Sequence, residues 1–210
     1  MHNHKSLQEI HEDVSAQHYD DGINRNLFQR FWHNRRFSEV LRVVKPIDGP
    51  VLDLGCHSGT FTEKILSKLK TRAIYGFDIS PSAIQLAQKR IPYGKFKVGD
   101  AHKLPYESHY FQAVFCLEML EHVDTPAQVI SEIKRVLKKG GMVVILVPSD
   151  SILFKIVWFL WTLYYPLWKH AHVQSFQNSS LEQLLRAYSF RNIKSNTFNL
   201  GMLKLVVCQK

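Results

Sequence analysis

The sequence predicts an α/β protein built on a doubly wound, mostly parallel sheet of seven strands that ends in an antiparallel hairpin. Three observations carry this. Short apolar runs bounded by turn residues alternate with stretches of helical period between residues 50 and 148. Glycine or acidic residues stand at the ends of four of those runs, where an open parallel sheet places its ligand crevice. The last two runs are joined by too short a link for a crossover, so they pair antiparallel.

Each element has its own signal. Residues 23–44 carry Leu27, Phe31, Phe37, Val40, Leu41 and Val44 at helical spacings, and Pro46, Gly49 and Pro50 end the pattern. Residues 51–54 read as a buried strand, 61–69 as a helix and 73–77 as the second strand. Residues 81–90 form a helix capped by Ser80, with Pro81 in the first position, where a missing N–H costs nothing. Residues 96–98 and 113–117 supply the third and fourth strands. The next helix, 126–137, should stop at Lys138-Lys139-Gly140-Gly141, because cations and glycine suit a helix C-terminus. Residues 142–147 are the fifth strand, closed by Pro148. Ser179-Ser180-Leu181-Glu182 has the form of a capping box and predicts a helix over 181–189, followed by strands 192–198 and 203–208. Residues 1–210 read as one domain: a helical cover (1–46), a core (50–148), an aromatic insertion (151–176) and a C-terminal helix and hairpin (179–210).

Hydrophobic residues make up 45% and charged residues 21%, which fits a globular protein and excludes a low-complexity chain. Cys56, Cys116 and Cys208 are odd in number and lie in apolar segments, and the chain opens on a polar run. Both features predict reduced thiols in a cytoplasmic protein. The net charge is +9, and residues 151–210 hold seven basic side chains against the single acid Glu182. That bias suits nucleic acid, acidic lipid headgroups or an acidic small substrate, and equally a solvated basic surface.

The chemistry concentrates at the strand ends. Val51 to Gly59 runs strand, turn, helix with the spacing Asp-x-Gly-x-x-x-Gly, not the G-x-G-x-x-G that seats a pyrophosphate. A carboxylate on the strand, Asp53, is a poor neighbour for phosphate and a good one for an ammonium group. Asp78 ends the second strand, placed either for ribose hydroxyls or as the N-terminal charge of the helix that follows. Asp100 follows the third strand as an acceptor for an amino group or as a turn residue. The fourth strand leads into Glu118, Glu121 and His122.

Taken together, VLDLGCHSG, YGFDIS, VGDAHKLPY, AVFCLEMLEHV and RVLKKGGMVVILVP, in this order across about residues 50–148, resemble the class I S-adenosylmethionine-dependent methyltransferases. The closest likeness is to the broad group containing the ubiquinone and menaquinone biosynthesis methyltransferases. The resemblance implies a Rossmann-like methyltransferase fold and S-adenosylmethionine as cofactor. It implies Asp53 near the methionine amino end, Gly55 and Gly59 in the turn, and Asp78 on the ribose hydroxyls. Ile79 would lie against the adenine, Asp100 and Ala101 at its edge, and Leu117 under the sulfonium. His57 stands where a third glycine is usual and Gln112 where aspartate is usual; the His57 ring is expected to turn to solvent.

On the acceptor side, Glu121 and His122 are candidates for a general base, and a helix start is the other reading of the same pair. Residues 117–120 lack the Asn/Asp-Pro-Pro-aromatic stretch of enzymes that methylate exocyclic amines. Residues 151–169 hold three of the four tryptophans, with lysines near both ends. They read as a lid over a hydrophobic acceptor or as an interfacial helix, too short to span a bilayer. Tyr19, Trp32, Trp158, Trp161 and His172 are candidate acceptor-side residues, and Arg35 and Arg36 could meet an anionic group. No metal site is expected. The function this predicts is methyl transfer, on oxygen or carbon, to a hydrophobic or lipid-linked small molecule, with possible membrane-surface contact. RNA methylation is the alternative enzyme, and an inactive cofactor-binding, membrane-associated interaction protein the alternative outside enzymes.

Overall fold

The apolar runs become a seven-stranded sheet in the computed structural model, which describes residues 27–149, 151–164, 174, 176 and 178–210. In chain order the strands are β1 (Val51–Leu54), β2 (Ile74–Asp78), β3 (Lys95–Val98), β4 (Phe111–Leu117), β5 (Leu137–Pro148), β6 (Arg191–Phe198) and β7 (Leu203–Gln209). Their spatial order is β3-β2-β1-β4-β5-β7-β6. The first five are parallel, and β7 runs antiparallel to both β5 and β6. Strand order therefore reverses between β1 and β4, which puts a ligand crevice at their carboxyl ends. The helices are α1 (Leu27–Val43), α2 (Thr60–Leu66), α3 (Pro81–Arg90), α4 (Pro126–Val136), α5 (Ile152–Tyr164) and α6 (Ser180–Ala187).

Side-chain alternation along the strands splits the core into two layers. Leu52, Leu54, Val114, Cys116, Val143, Ile145 and Val147 join Val129, Ile130 and Ile133 of α4 and Leu181 and Leu185 of α6 on one face. Val51, Ala113, Phe115, Val144 and Leu146 meet Val40 of α1 and Ile65 of α2 on the other. Asp53 shares the parity of Val51, so its carboxylate points into the α1–α2 layer. The edge strand β3 is exposed and carries Lys95 and Lys97, charges that discourage pairing with another sheet.

Two local readings are corrected. Lys138–Gly141 does not stop a helix: β5 already begins at Leu137, and a register break between Phe111 and Ala113 lets the run bulge out of the ladder. Gly140 supplies the left-handed conformation there, and its N–H donates to Lys210 O. The Ser179–Glu182 capping box does not form. Ser179 makes no side-chain cap bond, and Glu182 instead accepts from Lys204. The Ser80 cap does form, its Oγ accepting from Ala83 N–H at 3.2 Å.

The layers set an expectation for stability. Leu185 is fully buried and Ile156 exposed. Leu185→Ala should cost about 2–5 kcal/mol in urea unfolding, and Ile156→Ala less than about 0.5 kcal/mol.

Candidate active site

The carboxyl ends of β1 to β5 enclose a cavity of about 240 Å³. Its lining is drawn from Arg36 and Phe37 of α1, Asp53 to Ser58 with Thr60 and Phe61, Phe77 to Ile79, Gly99 to His102, Leu117 to Met119 with His122 to Asp124, and Leu146. Parallel pairing is what brings them together, since every strand delivers its end to the same rim.

The β1–α2 turn is shaped by backbone constraint. Gly55 has φ 80°, and a Cβ there would stand 2.7 Å from Met119 Cβ. Gly55 N–H donates to Phe77 O at 2.7 Å, tying the turn to β2. Gly59, also left-handed, is the residue before α2; it packs against Ala87 and does not line the cavity. His57 has φ 45°, so the one residue that replaces a customary glycine still adopts the conformation glycine favours. Its N–H donates to Asp78 Oδ2 at 2.8 Å. Contrary to expectation its ring is half-buried and lines the cavity instead of turning to solvent.

The three carboxylates of the sequence reading, Asp53, Asp78 and Asp100, all reach this cavity. Asp53 Oδ2 accepts from Thr62 Oγ1 at 2.6 Å. Burial, against the restraining Thr62 bond and with help from the Asp78 charge, pushes its carboxyl up to about 7. Asp78 uses one oxygen for His57 N–H and the other for Ser80 N–H at 3.0 Å, so each oxygen keeps a further acceptor position. Asp100 Oδ1 accepts from His102 N–H and faces His102 Nδ1 at 2.6 Å. Partial burial opposes ionisation of Asp100, but the His102 bonds outweigh it and hold the carboxyl below its usual range. Ile79, Ala101 and Leu117 line the same space.

The acceptor side differs from expectation at several residues. His122 lines the cavity. Glu121 does not: it is buried, its Oε2 has no hydrogen-bond partner among the described residues, and burial, only partly offset by its own N–H and the charge of Arg36, raises its carboxyl to about 8. Trp32 is packed against the α1–β-sheet layer and is not among the cavity residues. Trp158 stacks on Phe154 within α5, with centroids 5.9 Å apart, and also stays outside the lining. Trp161 belongs to α5, but its side chain, with Tyr19 and His172, lies outside the described residues. Arg36 is buried and donates to Glu118 and to His33 Nδ1, which ties α1 to the end of β4. Arg35 instead pairs with Glu39 at 2.9 Å. Phe37 and Phe61 were missed as lining, and Glu118 was read only as an acid after the fourth strand; the signal for its pairing was a helix with two adjacent arginines.

Residues 52–145 match the methyltransferase-domain family. That match spans a little under half of the chain, and over it the chain is similar to this family. It is 34% identical to a demethylmenaquinone methyltransferase of Thermotoga maritima, over 53% of this chain and 48% of that protein. It is 33% identical to a ubiquinone/menaquinone biosynthesis C-methyltransferase of Desulfotalea psychrophila, over 63% and 56% respectively. The chain thus spans about half the length of the curated relatives it matches. A methyltransferase structure from Archaeoglobus fulgidus shares the fold, with TM-score 0.69 and 16% identity over 94% of this chain and all of that one.

Asp53 and Glu121 both hold protons more tightly when folded than when unfolded, so folding takes up protons between their ordinary and raised values. The stability they lend is full below about pH 4 and is lost as pH climbs toward 8. Melting temperature should therefore fall from pH 5 to pH 8, and Glu121→Gln should flatten the fall; a steeper fall in the variant would contradict the assignment.

Proposed function

We propose that the protein transfers a methyl group from S-adenosylmethionine to oxygen or carbon of a hydrophobic small molecule. The observation that carries this reading is that the ends of β1, β2 and β3 bring three carboxylates to one cavity, which the apolar side chains of Phe37, Phe61, Leu117 and Leu146 line beside the Arg36–Glu118 pair and His122.

The residues present fit the cofactor. The glycine at 55 lets the β1–α2 turn adopt its left-handed bend against Met119, and Asp53 offers a carboxylate to an ammonium group. The free acceptor positions of Asp78 suit a vicinal diol, and Asp100 suits an amino group beside Ile79 and Ala101. S-adenosylmethionine supplies a methyl group already activated on a sulfonium. The protein's task is then alignment, worth up to roughly 7–11 kcal/mol when the reacting atoms are held in line. Leu117 and Leu146 keep water from the reacting end. His122, on the cavity wall, is placed to take the proton that a phenol, hydroxyl or carbon acid gives up. The relatives named for quinone methylation support an apolar acceptor of this kind.

Calorimetric titration tests the donor site. Wild-type protein should bind S-adenosylmethionine in the micromolar range, and Asp78→Ala should weaken binding by about 100-fold, the loss of two charge-assisted hydrogen bonds. Absence of binding by folded wild-type protein would sink the reading. Because Asp53 is protonated below about 7, affinity should drop by about tenfold from pH 8 to pH 6, and Asp53→Asn should be weak and insensitive to pH over that range. For turnover, His122→Ala should lower kcat by about 10²–10⁴ with donor affinity unchanged.

A further inference from the structure

We infer that α5 and the β6–β7 turn form a docking surface for an anionic lipid bilayer. This does not depend on methyl transfer: it rests on the outer face of the molecule.

Along α5, Ile152, Ile156, Phe159 and Leu160 fall at i, i+4, i+7 and i+8, one stripe of the helix. They are 79, 52, 62 and 52% exposed. The opposite side is anchored, with Phe154 buried and stacked on Trp158. A helix whose inner and outer faces are both apolar is not explained by the core alone. A second apolar projection stands beside its root. Leu200, 85% exposed, tips the β6–β7 turn. That turn is tied to Ser149: Ser149 N–H donates to Met202 O at 2.9 Å, and Ser149 Oγ to Gly201 O. Ser149 follows the end of β5, three residues beyond Leu146 in the cavity wall. The projecting apolar residues therefore cluster at the sheet end where the cavity lies.

Charge selects the occupant. Residues 151–210 carry seven basic groups and one acid, and that acid, Glu182, is engaged by Lys204. Lys155 is exposed on α5 beside the apolar stripe, where its stem can lie along the membrane with the ammonium at the headgroups. Two copies meeting through this face would bring their Lys155 ammonium groups together, whereas a leaflet of acidic lipid neutralises them. Geometry fits lying in the interface: thirteen residues extend about 20 Å, less than the roughly 30 Å of a hydrocarbon core. Among the described residues no helix is long and apolar enough to cross a membrane.

The test is co-sedimentation of the full chain with vesicles of phosphatidylcholine alone and of phosphatidylcholine containing phosphatidylglycerol. Wild-type protein should bind the anionic vesicles, release at high salt, and leave neutral ones largely unbound. Ile156→Glu/Phe159→Glu should cut the bound fraction about tenfold or more while leaving S-adenosylmethionine affinity unchanged. Leu200→Glu, in a separate turn, should weaken binding independently and guards against a folding defect in the helix variant. No binding by wild-type protein, or equal binding by both variants, overturns the inference. So does a wild-type dimer that the helix variant converts to monomer while vesicles go unbound, since that assigns the face to a second copy. Because donor affinity is read separately by calorimetry, failure here and failure of the methyl-transfer reading are told apart.

Discussion

Burial of β4 on both faces is the constraint on which the other elements depend. It pairs with β1 on one side and β5 on the other, and Ala113, Val114, Phe115 and Cys116 are fully buried. A strand flanked on both edges and covered on both faces can carry almost no polar side chain until it ends. The change in character is correspondingly sharp: Leu117 borders the cavity, Glu118 meets Arg36, and His122 follows within one turn. The crevice between β1 and β4 is a by-product of strand order, and chemistry gathers there because it is where the sheet stops excluding water.

The cavity has two electrostatic characters. The side formed by the ends of β1, β2 and β3 gathers Asp53, Asp78 and Asp100, one pushed toward neutrality by burial and one held ionised by His102. Its α1 side carries the Arg36–Glu118 pair with His33, all buried or nearly so. A cationic ligand entering the first side relieves the cost of charging Asp53, so donor binding and deprotonation reinforce each other. Mutual neutralisation on the second side leaves a wall without net charge, compatible with an apolar acceptor.

Most of the sheet was legible in the sequence because parallel strands buried on both faces must be nearly continuous apolar runs, and residues 51–54, 73–77 and 113–117 are, Asp53 apart. The Ser80-Pro81 cap was equally plain, since its physics is local. What failed was non-local. Lys138–Gly141 has the composition of a helix stop, but pairing with β4 and the carbonyl of Lys210 decides its conformation. Ser179 and Glu182 have the right spacing for a capping box, yet Lys204, twenty-two residues away, claims the carboxylate. In the site, Asp53, Asp78 and Asp100 meet at one cavity because each stands at or near the carboxyl end of a parallel strand. Glu121 and Trp32 lie outside the cavity lining, which no local signal shows, because a helix or 3₁₀ turn does not reveal in sequence which neighbour faces inward; nor does glycine-like backbone show where the His57 ring points.

The position of β7 has a consequence for how the molecule comes into being. It is the last strand in the chain, yet it lies inside the sheet, between β5 and β6. Until it arrives, the outer edge of β5 offers a long row of open backbone groups next to Val143, Val144 and Ile145. A nascent chain therefore holds its stickiest edge uncovered throughout synthesis of residues 149–202, a stretch that includes the apolar α5. Such a chain depends on prompt closure by β7, or on a chaperone that shields the edge meanwhile.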